Sequence, residues 1–138
     1  MIDNNKIRRK INTLQQNIKF LDSLRQMSGA DFVADPRNYL SATRVLQISV
    51  EAMIDIANHI IAREGLGIPQ TYHDAIKILI REGYLPNDKE ATFRAMIRFR
   101  NRAVHMYDEI DEQEIYRIIC EHLGDFQDFM DSMIKRYF

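Results

Sequence analysis

Apolar residues recur at helical spacing from one end of this chain to the other. Ile7, Ile11, Leu14, Ile18 and Leu21 stand at steps of four, three, four and three, which makes one apolar stripe on a helix. The segment SGADFVADP breaks that stripe. Asp35 followed by Pro36 reads as an N-cap and a first helical residue. The helix they open runs to about Glu64, with Leu46, Val50, Met53, Ile54, Ala57, Ile60 and Ile61 on its apolar side. GLGIPQ ends it with glycines and a proline. TYHDAIKILIREG predicts a short third helix, capped by Thr71 with Asp74 three residues on and closed by Gly83. Asn87 with Glu90, and Asp111 with Glu114, carry the same capping signature. They predict a fourth helix, and a fifth that runs to the C-terminus. No strand pattern, internal repeat or low-complexity segment is found. The expected fold is all-α: a single-domain bundle of about five helices over residues 1–138.

Composition narrows the function. A chain of 138 residues fits one domain with a real core. Its 46% apolar and 28% charged content is that of an ordinary globular protein. A formal net charge of −1 excludes a protein that coats nucleic acid through its overall charge, so any such contact must be local. The single Cys120 cannot form an internal disulfide, which favours a reducing compartment. The opening MIDNNKIRRKIN lacks the apolar centre of a signal peptide, and no apolar run approaches the ~20 residues of a membrane span. The expected location is the cytoplasm, away from membranes.

Positive charge is nevertheless concentrated in one place, RFRNRAVHMYDEID, from Arg98 to Asp111. On a helical wheel at about 100° per residue, Phe93, Ile97, Arg100, Val104 and Tyr107 share a seam that only Arg100 interrupts with charge. Arg94, Arg98, Asn101, Arg102 and His105 form a polar, basic stripe beside it. Asn101 and His105 are four apart and neighbour each other. Arg100 and His105 are five apart, roughly 140° around the axis. They would flank a cleft that a second surface, such as a symmetry mate, completes.

These side chains suit phosphate chemistry. Histidine can gain or lose a proton near neutral pH, and arginine grips phosphate oxygens with a planar, permanently charged fork. Together they could cut RNA without a metal. His105 would move the proton, Arg100 would stabilise the charge on the phosphate, and the 2′-hydroxyl would attack. Asn101 could orient His105 or bind substrate, and Arg98 and Arg102 could hold phosphates. A plainer reading stands beside this one. An arginine in an apolar seam can be a structural ion pair, for which Glu51 or Asp55 would serve. His59, His73 and His122 are dispersed without metal-ligand spacing, Cys120 has no catalytic neighbourhood, and no cofactor motif is present. No metal or cofactor is expected.

The stretch from Arg100 to Tyr107 also resembles the R-x4-H-x-Y pattern of the HEPN superfamily, in its HepT toxin branch. EAMIDIANHI (Glu51 to Ile60) and LGIPQTYHDA (Leu66 to Ala75) precede it in the order HepT-like proteins show. The likeness is good from about Glu51 onward and holds for the first helix only by type. It implies a small helical bundle that forms a homodimer, with the motifs of both copies at a shared cleft. It also implies RNase toxicity, with Arg100 and His105 as the catalytic pair. The implied partner is MntA, a small nucleotidyltransferase antitoxin that transfers AMP to the motif tyrosine, here Tyr107. Two rival functions remain. One is a non-catalytic module that binds nucleotide or presents substrate to a nucleotidyltransferase. The other is a plain dimerisation domain with an ion-paired Arg100.

Overall fold

A computed structural model describes residues 2–138. The described residues form seven α-helices: α1 Asn4–Arg25, α2 Gly29–Ala34, α3 Pro36–Glu64, α4 Tyr72–Arg81, α5 Glu90–His105, α6 Glu112–Glu121 and α7 Leu123–Tyr137. Two 3₁₀ turns, Asn87–Lys89 and Tyr107–Glu109, flank α5.

Three of the four predicted starts are made by the predicted chemistry. Asp35 accepts from the Arg37 N–H with Pro36 behind it, Thr71 accepts from the Asp74 N–H at 3.1 Å, and Asp111 accepts from the Glu114 N–H at 2.7 Å. Gly65 closes α3 at φ +64°, a left-handed conformation that a residue with a Cβ adopts at a cost.

The α3 helix is the axis of the bundle and packs against α1, α2, α4, α5 and α6. Its buried residues, from Ala42 through Leu46, Met53 and Ile56 to Ile61, are not confined to one stripe, as a helix surrounded by others requires. Its most apolar window has a mean hydropathy of 1.3, so by length and composition it could cross a membrane, although 61% of that window is buried within the bundle. The sequence expectation of no such segment is corrected here. Single polar residues such as Ser49 and Asp55 break the apolar run without lowering its average far.

Three local expectations also change. SGADFVADP is not only a break. Ser28 caps the short α2, and Phe32 anchors it with its side chain fully buried, 5.1 Å from the Tyr116 ring. The Tyr116 hydroxyl donates to the Met27 carbonyl at 2.7 Å and holds the same corner. Asn87 does not cap the fourth helix. It starts a 3₁₀ turn, and α5 begins at Glu90 without a side-chain cap. The fifth helix breaks at His122, whose ψ of 5° lies outside the helical range. Asp125 accepts from the His122 ring at 3.2 Å and returns its N–H to the His122 carbonyl at 3.1 Å. The break lets Ile115 and Ile119 of α6, and Phe126, Phe129, Met130 and Met133 of α7, bury faces that one straight helix would point in different directions.

Candidate active site

Arg98, Arg100, Asn101, Arg102 and His105 all lie on α5, and Tyr107 opens the turn after it. The helix is fixed by its inner face. Phe93, Ile97, Phe99 and Ala103 are buried, and Phe93 meets Phe129 of α7 edge-on at 5.9 Å.

Arg100 turns toward α3 and α4. Its Nε donates to Glu51 Oε2 at 3.0 Å, its Nη2 lies 2.9 Å from the same oxygen, and its Nη1 donates to Asn101 Oδ1 at 3.2 Å. The Tyr72 ring centroid lies 5.2 Å from the guanidinium carbon, a cation–π distance. Gln47 also donates to Glu51 Oε2, at 3.3 Å. The Arg100 side chain is only 16% exposed, so three helices hold it in one orientation. Nε and Nη1 donate in these hydrogen bonds and Nη2 lies within ion-pair distance of Glu51, which leaves N–H groups on both Nη atoms for another acceptor. Of the two carboxylates suggested by spacing, Glu51 takes the pair, while Asp55 meets Lys10 of α1 at 3.0 Å.

Arg102 is clasped elsewhere. Its Nη1 and Nη2 donate to the two carboxylate oxygens of Glu114 at 2.7 and 2.9 Å, a bidentate pair that ties α5 to α6. The loop between the clasped residues carries Tyr107. Arg98 is exposed, and among the described residues it has no salt bridge.

His105 is the last residue of α5 and is exposed. The chain leaves the helix at Met106, where φ is −140° and ψ 42°. The helix therefore ends one residue before Tyr107. A continuous helix would carry Tyr107 about 160° away from His105. The turn sets it instead on the surface, 68% exposed, with Asp108 and Glu109 following it.

Three contributors were not found in the sequence. Tyr72 and Glu114 act across helix pairs, and no spacing rule connects them to their arginines. His73, read as a dispersed histidine, lies in the first turn of α4 close enough to Arg94 and Arg98 to feel their charge. Burial first, and then those two arginines, hold its imidazole below the ordinary histidine range. Its Nδ1 is buried without a hydrogen-bond partner. On the flank of α5 away from Arg100, with Arg98 and Arg102 among its lining, a groove of about 620 Å³ runs between α3, α5, α6 and α7.

An all-helical bundle with R-x4-H at the end of one helix, and a tyrosine just beyond, is the arrangement of the HEPN class. The family model described as ribonuclease HepT-like matches residues 14–133, and the chain belongs to that family. It is 34% identical over 122 residues to the mRNA nuclease HepT of Shewanella oneidensis, across 88% of this chain and 91% of that protein. It is 28% identical over 104 residues to the tRNA nuclease HepT of Aphanizomenon flos-aquae, across 73% and 71% of the two chains. Among solved structures it resembles a tri-AMPylated Shewanella oneidensis HEPN toxin in complex with an MNT antitoxin. The TM-score is 0.87 at 32% identity, over 98% of this chain and 99% of that one.

Proposed function

We propose that this protein is the toxin of a toxin–antitoxin pair, a metal-independent endoribonuclease that acts as a homodimer and is silenced by AMP transfer to Tyr107. The observation that carries this reading is the held Arg100. Glu51, Asn101 and Tyr72 fix its plane, and its unused N–H groups remain available to a phosphate. Pre-oriented donors stabilise developing charge without reorganising during the reaction.

In the proposed step the RNA 2′-oxygen attacks phosphorus and passes its proton to the His105 imidazole. The bond from phosphorus to the 5′-oxygen breaks, leaving a 2′,3′-cyclic phosphate. The departing oxygen takes a proton from a second, protonated imidazole, which a two-fold dimer supplies and which is left neutral. Arg100 faces the charge on the non-bridging oxygens. For silencing, the Tyr107 oxygen attacks the α-phosphorus of ATP held by a partner nucleotidyltransferase. Pyrophosphate leaves, and the phenolic proton is lost. The high exposure of Tyr107 supports this role, as do the AMPylated toxin and antitoxin in the related complex.

The Glu51 pair also suits a purely structural arginine, and with it a non-catalytic partner module. Expression without an antitoxin separates the readings. The wild type should arrest growth and fragment cellular RNA, and His105→Ala should do neither. Purified protein should cut RNA in EDTA. Cleavage that stops on chelation and returns with magnesium would refute metal independence.

A further inference from the structure

The groove on the flank of α5 away from Arg100 borders the basic stripe through Arg98 and Arg102, and its apolar interior has no part in the chemistry above. Its width comes from small residues: Ala91 and Ala95 are exposed and stand four apart on one side of the helix. Its floor is apolar, formed by faces of Leu46, Val50, Phe99 and Phe126, with Met96 and Ile118 as walls. Arg102 and Glu114, paired with each other, line it too, and beside them two further charged groups mark its rim. Arg98 is a cation without an ion-pair partner among the described residues. Asp125 is an acceptor with one carboxylate oxygen on His122, at 3.2 Å, and the other uncommitted.

We infer that this groove is a nucleobase subsite for the RNA substrate. Its volume of about 620 Å³ lies within the range of small-molecule sites and is enough for one nucleotide. An apolar slot with phenylalanines in its floor and a thioether wall takes a base of any sequence by apolar contact. Charge complementarity selects the rest: Arg98 meets the phosphate, and Asp125 accepts from an exocyclic amine, as carboxylates do from cytosine. Adenine and cytosine offer such an amine on the pairing edge and uracil does not, so the site favours an amino-bearing base. Arg98 also faces the catalytic stripe. Seven residues separate it from His105, about 10 Å along the helix, a span that neighbouring nucleotides of one strand can bridge. The inference rests on the ribonuclease reading for its substrate, and its test keeps the two apart.

The probes are 3′-AMP, 3′-CMP, 3′-UMP and inorganic phosphate, titrated into full-length His105→Ala protein. The readout is the methyl NMR signals of Met96, Val50 and Ile118. The adenine and cytosine nucleotides should shift these methyls, with 3′-UMP at least tenfold weaker and phosphate without effect. Ala95→Trp fills the slot and should abolish the shifts. In the otherwise wild-type enzyme Ala95→Trp should raise KM for RNA at least tenfold, more than it lowers kcat. Asp125→Asn, at a half-buried position where the amide oxygen can still accept from His122, should erase the preference over uracil. Equal shifts with bare phosphate, or unaltered nucleotide binding by a folded Ala95→Trp protein, overturn the subsite. Loss of dimerisation in Ala95→Trp also overturns it, by showing that a second copy covers the groove. A wild type that cuts RNA while no nucleotide moves the groove methyls refutes the subsite alone. Methyl shifts in a protein that cuts no RNA refute the ribonuclease reading and leave the groove as a nucleotide site.

Discussion

Glu51 of α3 and Arg100 of α5, 49 residues apart in sequence, meet through a single carboxylate oxygen that receives both Nε and Nη2, at 3.0 and 2.9 Å. The oxygen is shared again with Gln47 at 3.3 Å. An arginine that enters an apolar seam is thereby neutralised and also aimed.

Glu51→Gln keeps an acceptor oxygen and removes the charge. The pair is only partly buried, so unfolding free energy should fall by about 1–2 kcal/mol. Cleavage per folded molecule should fall at least tenfold, because the guanidinium is no longer held in plane. Chemical unfolding with single-turnover cleavage measures both. Lost stability with unchanged cleavage would make the pair structural only. Arg100→Lys retains charge without the fork and should be folded and poorly active.

The clasp between Arg102 and Glu114 predicts a local effect. Glu114→Gln should cost about 1 kcal/mol, since the bonds are charge-assisted but the arginine is half-exposed. Amide exchange across Met106–Asp111 should quicken, while that of the buried α3 stays slow. Unchanged exchange in that loop would mean the clasp does not order it. If Arg102 also grips RNA, Glu114→Gln frees its fork and raises RNA affinity as the loop loosens.

Tyr107→Phe retains the ring and loses the oxygen that would carry AMP. The variant should stay toxic and escape neutralisation by a cognate nucleotidyltransferase. The wild-type peptide should gain mass in AMP multiples. Equal neutralisation of both proteins with no mass change would mean inhibition by binding alone.

A fourth expectation concerns pH. His59 of α3 is buried, and its Nε2 accepts the Asp3 N–H at 3.2 Å, fixing the start of α1. Burial first, then the Lys6 and Arg63 charges, hold its imidazole below the ordinary value, with Asp3 opposing. The unfolded chain therefore binds more protons than the folded one as pH falls through the ordinary histidine range near 6.5. Stability should drop across that window until the folded imidazole itself titrates. His73 acts in the same direction. Urea midpoints should fall between about pH 7.5 and pH 5.5, above the range where most carboxylates contribute. His59→Gln, which can still accept from Asp3, should flatten the slope. A slope identical to wild type would remove His59 as its source.

Much of the fold was legible because periodicity and caps are local. The stripe from Ile7 to Leu21, the Asp35–Pro36 start and the Thr71 cap need only neighbours in sequence. The departures arise where tertiary burial decides. Phe32 makes a helix of an apparent breaker, and the His122 break follows from where α6 and α7 find core to bury. In the site, the residues of α5 could be read directly. Spacing supplied Glu51 and Asp55 as equals, and only packing separates them, by giving Asp55 to Lys10. Tyr72 and Glu114 left no periodic signal, because each reaches its arginine from a different helix.

The turn at Met106 divides the motif between two environments: Arg100 at 16% side-chain exposure and Tyr107 at 68%. Under the proposed function, that division separates acting from being controlled. An antitoxin enzyme can reach its acceptor on a finished, folded toxin without prising open the bundle or competing with RNA for the recessed arginine. Control of this kind is written once and then outlasts its writer. A cell that lost the antitoxin would be exposed only through newly made, unmarked copies, and the delay before harm would follow the rate of synthesis instead of the lifetime of a complex.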